Sequence, residues 1–191
     1  MKCTLACVEW GNYLGRGEEY VRRLSQMAER LAPPSFEYEF VCVRPDVPGL
    51  EGWWNKIELF RPGRFEGRVA YVDLDTVLTG PLPELFADKG LLHLREWGWK
   101  QNAYGSGIMV WDAGEHEQVF TRFNASVPKL FRGDQDWLFH LGGWPALPMH
   151  KHRSYRYHCK KAPPDSGVLS VSFHGHPKPH ELGGWVKEAW Q

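Results

Sequence analysis

The stretch Arg68-Val69-Ala70-Tyr71-Val72-Asp73-Leu74-Asp75-Thr76-Val77-Leu78-Thr79-Gly80-Pro81 sets the frame for the chain. A short apolar run ends in two carboxylates spaced i, i+2, and Gly80-Pro81 then marks a turn. The run predicts a buried strand. Acids at the carboxyl end of such a strand stand where open α/β sheets bind ligands. In an extended chain residues i and i+2 point the same way, so Asp73 and Asp75 can reach one ion. Carboxylate oxygens are hard ligands that suit Mg²⁺ or Mn²⁺, and such an ion can hold a diphosphate. The same two acids equally suit a plain turn or a helix cap.

Upstream of this strand the pattern alternates. Residues 2–8 read as a strand that ends at Trp10-Gly11-Asn12. Gly17 to Leu31 reads as an amphipathic helix with Tyr20, Leu24, Met27, Ala28 and Leu31 on one face, and Pro33-Pro34 stops it. Phe36 to Val43 alternates like a strand, and a Pro/Gly loop follows through Gly49. Trp53 to Phe60 reads as a short helix. Strand, helix, strand, helix, strand predicts an α/β fold with a parallel sheet and right-handed crossovers. Downstream, Pro83 to Phe86 predicts one helical turn and Leu91 to Leu94 a strand. Ile108 to Trp111 predicts another strand, and Val168 to Phe173 a last one. Glu115 to Asn124 and Asp134 to Leu141 predict helices, with Asp134 as N-cap of the second. Residues 145–167 show no period.

The bulk composition narrows the function classes. The 191 residues suit a single domain, spanning 1–191. Lys+Arg and Asp+Glu both number 23, so no basic excess points to nucleic acid and no polybasic run to a membrane surface. No apolar run approaches ~18 residues, so no membrane span is expected, and the N-terminus carries no secretory h-region. Cys3, Cys7, Cys42 and Cys159 lack C-x-x-C spacing and read as free thiols of a reducing compartment. A soluble, cytoplasmic protein is the expectation.

Three further constellations bear on chemistry. His174-Gly175-His176-Pro177-Lys178-Pro179 follows a strand and combines imidazole, flexible backbone and ammonium, which suit a metal or a phosphate. Gly133-Asp134-Gln135-Asp136 opens a helix with groups able to hold sugar hydroxyls. Tyr104-Gly105-Ser106-Gly107 enters a strand with residues small enough for close backbone approach. Each also has a structural reading, as solvated turn, helix start or bulge.

Taken in order along the chain, these motifs resemble glycosyltransferase family 8 and its relatives of the glycogenin and lipopolysaccharide-galactosyltransferase type. The matching stretches are Tyr71 to Asp75, Ser106-Gly107, Asp134-Gln135-Asp136 and Gly175 to Pro179. Trp54-Asn55-Lys56 to Phe60 resembles the family's W-x-K-L-x-x-F helix. The resemblance implies a GT-A fold, built on one Rossmann-like, mixed but mostly parallel sheet flanked by helices. It also implies transfer of a sugar from a nucleotide-sugar, a UDP-sugar, to a saccharide or other hydroxyl acceptor, with retention. It would give Asp73 and Asp75 to Mn²⁺ (or Mg²⁺) and ribose, with Leu74 and Ser106 at the donor, and Gly175 and Lys178 to the diphosphate. Asp134 and Gln135 would face donor sugar and acceptor, Val8 and Trp10 the uracil and ribose, and Lys56 the nucleotide side.

The chain departs from the family pattern at three places. Ser172 stands where the family has its metal-binding His; the nearest imidazoles are His174 and His176, and His174 is taken as the replacement ligand, with His176 the alternative. Gly105 stands where the family has Asn, and His180 where a Trp often follows Lys-Pro. Asp73-Leu74-Asp75-Thr76-Val77-Leu78 also resembles the signature of haloacid-dehalogenase-type phosphatases, in which the first Asp is the nucleophile. A non-catalytic nucleotide-sugar or carbohydrate binding module on the same fold is the other alternative. Trp97, Trp99 and Trp144 are candidates either to stack on an acceptor sugar or to fill core and surface positions.

Overall fold

In the computed structural model, which describes residues 1–45, 50–98 and 104–191, β1 (Cys3–Val8) lies inside a five-stranded sheet. It pairs in parallel with β2 (Glu39–Val43) on one side and β3 (Arg68–Val72) on the other. Strand β4 (Thr76–Leu78) leaves this sheet, β5 (Gly90–His93) returns to its edge, and β6 (Tyr104–Asp112) lies antiparallel between β3 and β5. The order is β2-β1-β3-β6-β5, with β6 alone reversed. The result is the mixed, mostly parallel α/β sheet that the family resemblance implies, where the strand–helix alternation alone predicts a parallel one.

Each central strand feeds both faces, as a two-residue side-chain period requires. Leu5, Cys7, Ala70, Val72, Ile108 and Val110 enter one core; Ala6, Val69, Tyr71, Met109 and Trp111 enter the other. The first core is closed by α1 (Gly17–Leu31), whose Tyr20, Leu24, Met27 and Ala28 form a buried stripe with Val21. The second is closed by the 3-10 helix Gly52–Phe60 and, further on, by a helix beginning at Asp134. Strands buried on both faces explain why the sheet reads as near-continuous apolar runs.

The remaining elements are short. Turns of helix occupy α2 (Leu82–Leu85), α3 (Gln118–Thr121) and α4 (Val127–Leu130); α5 (Asp134–Leu141) has the predicted bounds. Strands β7 (His152–Ser154) and β8 (Ser170–Ser172) join β4 in a second, three-stranded sheet, and α6 (Gly184–Trp190) packs back on α1 and β4.

Several expectations are corrected. The segment 53–60 is a 3-10 helix rather than an α-helix. The predicted helix 115–124 shrinks to Gln118–Thr121, because Gly114 and His116 take positive φ values (89° and 60°) that right-handed helix excludes. Gly133, in extended conformation, is the N-cap of α5, and Asp134 is its first helical residue. The four cysteines are free thiols. No helix among the described residues is long and apolar enough to cross a membrane.

Candidate active site

A cleft of about 820 Å³ opens beside the carboxyl ends of β1 and β3. Val8 and Trp10 line it from β1, Asp73, Leu74 and Asp75 from the turn after β3, Lys56 from the 3-10 helix, and Asp134 and Gln135 from α5. Residues far apart in sequence thus converge on one hollow. Its size suits a small-molecule ligand.

The two acids occupy a turn, not an extended strand. The Asp73 N–H donates to the Gly107 carbonyl (2.8 Å), which ties the turn to β6, and the Thr76 N–H donates to the Asp73 carbonyl (2.9 Å). The expectation of two parallel side chains on an extended segment is therefore replaced by two carboxylates with different partners. Asp73 accepts from the Tyr71 hydroxyl (2.5 Å) and pairs with the Lys56 ammonium (2.7 Å). Asp75 accepts from the Tyr13 hydroxyl (2.8 Å) and from the Lys178 ammonium. Burial, then the charge of Asp73, raises the Asp75 pKa above the ordinary carboxylate value, and Lys178 offsets part of the rise.

Lys56 is the hub of the cleft floor. Its ammonium lies 2.7 Å from Asp73, 3.7 Å from Asp134 and 3.1 Å from the Ser106 hydroxyl. Burial alone would push its pKa down; the charges of Asp73 and Asp134 outweigh that and raise it. Asp134 is only 4% exposed, and burial raises its pKa against the opposing charge of Lys56. Its Oδ2 is buried facing the Lys56 ammonium and makes no hydrogen bond among the described residues.

Lys178 arrives from beyond β8 and is buried, donating to Asp75 and to the Phe173 carbonyl (2.9 Å). Gly175 precedes it with φ +74°, a value glycine takes without strain. Gly175 and Lys178 thus sit behind the acidic turn, not among the residues lining the cleft, and Ser106 is fully buried beneath Lys56.

The comparisons with known proteins fit this geometry. No protein-family model and no curated protein matches the sequence. Solved structures do match. The apo-form glycosyltransferase GlyE of Streptococcus pneumoniae superposes with a TM-score of 0.64 at 14% identity, covering 100% of this chain and 59% of that one. The galactosyltransferase LgtC, in the form of an active-site mutant, gives 0.60 at 11% identity, covering 100% and 94%. Mouse xyloside xylosyltransferase 1 gives 0.55 at 12% identity, covering 92% and 98%. The chain has the GT-A glycosyltransferase fold. It spans less than two thirds of the GlyE chain.

Within this GT-A fold the donor set for a divalent ion can be tested on its chemistry. Asp73 and Asp75 each commit one carboxylate oxygen to the lysine and tyrosine contacts, Oδ1 and Oδ2 respectively. A pair of hard carboxylates fits an ion such as Mg²⁺ or Mn²⁺ that completes its shell with substrate phosphates. Among the described residues no cluster of three or more His, Cys, Asp or Glu forms a ready-made metal cage. His174 lies with Nε2 3.1 Å from the Ser154 hydroxyl and its ring beside Trp97 and Tyr157. Ser172 sits in β8 opposite Thr76, and the hydroxyls of both are buried without hydrogen-bond partners among the described residues.

The structure decides between the two readings of Trp97 and Trp144. Trp97 and Trp144 are each 5% exposed and belong to the two cores, so neither can stack on a sugar. Trp99 lies outside the described residues. Sequence reasoning missed Tyr13, Tyr71, Trp53 and Arg132. Tyr71 alone carried a signal, since it precedes Asp73 by two residues on a strand and shares its face.

Proposed function

We propose that this chain is a glycosyltransferase that moves a sugar from a nucleotide-sugar, a UDP-sugar, to the hydroxyl of an acceptor, with retention of anomeric configuration. The observation that carries the reading is the convergence of Lys56 on Asp73 and Asp134 at the floor of a cleft lined also by Asp75, whose partner Lys178 lies behind it. Acids alone would repel a diphosphate; acids interleaved with buried ammoniums can orient one.

Each residue then has a task. Val8 and Trp10 line the end of β1 and take the nucleoside. Lys178 offers a compact positive charge where the departing diphosphate gains negative charge. Asp73 and Asp75 would hold a divalent cation, Mn²⁺ or Mg²⁺, which when bound supplies further charge stabilisation to the leaving group. Asp134, which lines the cleft and is held by Lys56, faces the donor sugar and fixes its orientation. Gln135, next along α5, lines the cleft where sugar and acceptor meet.

The test is nucleotide release. The protein is incubated with MnCl₂ and a panel of UDP-, GDP- and CMP-sugars. UDP release that disappears in Asp75→Asn supports the transferase. Cleavage of a generic phosphate ester, with no response to any nucleotide-sugar, overturns it in favour of a phosphatase. Tight UDP binding without turnover assigns the chain to nucleotide-sugar binding alone.

A further inference from the structure

The 3-10 helix Gly52–Phe60 treats its two adjacent tryptophans differently. Trp54 is buried in the core, whereas Trp53 is 56% exposed and lines the cleft. Among the described residues seven large apolar side chains are exposed, and three of them, Trp10, Leu14 and Trp53, line this one cleft. An apolar concentration in a cleft marks a binding surface. Trp10 and Leu14 follow β1 in the chain; Trp53 comes from the 3-10 helix.

The position of Trp53 on that helix is specific. Side chains three apart eclipse in a 3-10 helix, so Trp53 stands one turn from Lys56 on the same face. Lys56 touches the floor residues Asp73 and Asp134, which leaves Trp53 nearer the mouth. Its indole rests on Gly133. A Cβ built there would lie 2.9 Å from Trp53 Nε1, so the indole seats only because residue 133 has no side chain. Gly133 is extended (φ −176°), a conformation any residue adopts, so this closeness is the demand for glycine. Beside the indole lie Gln135 and the Arg132–Asp136 pair (3.1 Å), whose side chains are 83% and 39% exposed. A pair that exposed adds little to stability and keeps its donors and acceptors available.

We propose that Trp53 is the stacking platform for a saccharide acceptor, with Arg132, Gln135 and Asp136 holding its hydroxyls. A pyranose offers an apolar C–H face to the indole and a rim of hydroxyls to a guanidinium, an amide and a carboxylate. The platform adjoins Asp134 and Gln135, so a ring seated on it presents its hydroxyl to the donor sugar. This inference rests on the transferase reading for its direction, but its test separates the two.

Saturation-transfer NMR with lactose, maltose and cellobiose as probes, in the presence of UDP and MnCl₂, reads the platform. UDP titration calorimetry reads the donor site. The expected result is transfer to the C–H protons of one ring of at least one disaccharide. Trp53→Ala should weaken it about tenfold, the scale for losing an aromatic anchor. Gly133→Ala should weaken it similarly by displacing the indole, and Trp53→Phe should hold it within about threefold. UDP affinity should stay within about twofold in all three variants, which also shows that they are folded. The proposal is overturned if no disaccharide binds, or if Trp53→Ala leaves sugar binding intact. It is also overturned if Trp53→Ala weakens UDP as much as sugar, which would give the indole to the nucleotide. Sugar binding that depends on Trp53 in a protein with no affinity for UDP would sink the donor reading and leave the platform standing.

Discussion

Asp75 accepts from the Tyr13 hydroxyl and from the Lys178 ammonium, and the two bonds are unequal in weight. A neutral phenol contributes about 1 kcal/mol net, whereas leaving one charge of a buried pair alone costs about 3–5 kcal/mol. Lys178→Met should therefore destabilise the fold by about 3–5 kcal/mol, and Tyr13→Phe by about 1 kcal/mol, in urea unfolding. Equal effects would show that the ammonium is not the main partner. Asp73, Asp75, Asp134, Lys56 and Lys178 were legible in the sequence because each sits in a motif whose residue types carry the chemistry. Their tyrosine partners were less so. A turn at Asp73–Thr76 sends the carboxylates toward partners that an extended segment would not, and nothing near Tyr13 in sequence points sixty residues ahead. The tryptophans were illegible for another reason: adjacent Trp53 and Trp54 have the same chemistry, and only the packing of the helix they share decides which is buried.

Among the elements, α1 and α5 have the bounds their periodicity and punctuation predict. Of the second sheet only β8, inside the predicted strand Val168 to Phe173, was legible; β4 and β7 have three residues each, and a three-residue strand shows no period. This small sheet carries its own pH response. His152 of β7 lies opposite Ser170 of β8, and their side chains meet at 2.8 Å. Burial, then the charge of Lys151, pushes the His152 pKa from 6.5 down to about 4. Below pH 6.5 the unfolded chain takes a proton that the folded chain refuses, so stability falls as pH drops from 6.5 to about 4 and this loss then levels off. The loss is about 3 kcal/mol. Urea midpoints measured across that window should fall in the wild type, and the part of the slope due to this ring should vanish in His152→Asn. A slope unchanged by the substitution would place the titration elsewhere.

At the scale of the molecule, one sheet separates two cores and β6 feeds both. Trp111 is 2% exposed on the face away from α1, packed against Phe60 at 5.0 Å between ring centroids. Trp111→Ala should cost about 3–5 kcal/mol, measured by chemical denaturation, because the sheet cannot collapse into the void without disturbing the other core. A loss below about 1 kcal/mol would show that the second core repacks freely. The layered architecture followed from the sequence because strand and helix periods alternate up to Asp73. Past that point the chain reverses in β6 and founds a second sheet, and both depend on pairings distant in sequence.

The ion pair between Asp75 and Lys178 spans 103 positions of the chain. Every strand of the main sheet has been synthesised once Asp112 has been added, and the acidic turn is made before that. Its ammonium partner is added only after β8. During synthesis the cleft therefore passes through a stage with its carboxylates in place and Lys178 missing. The growing chain completes its walls before its charge balance, which waits for the segment that follows β8.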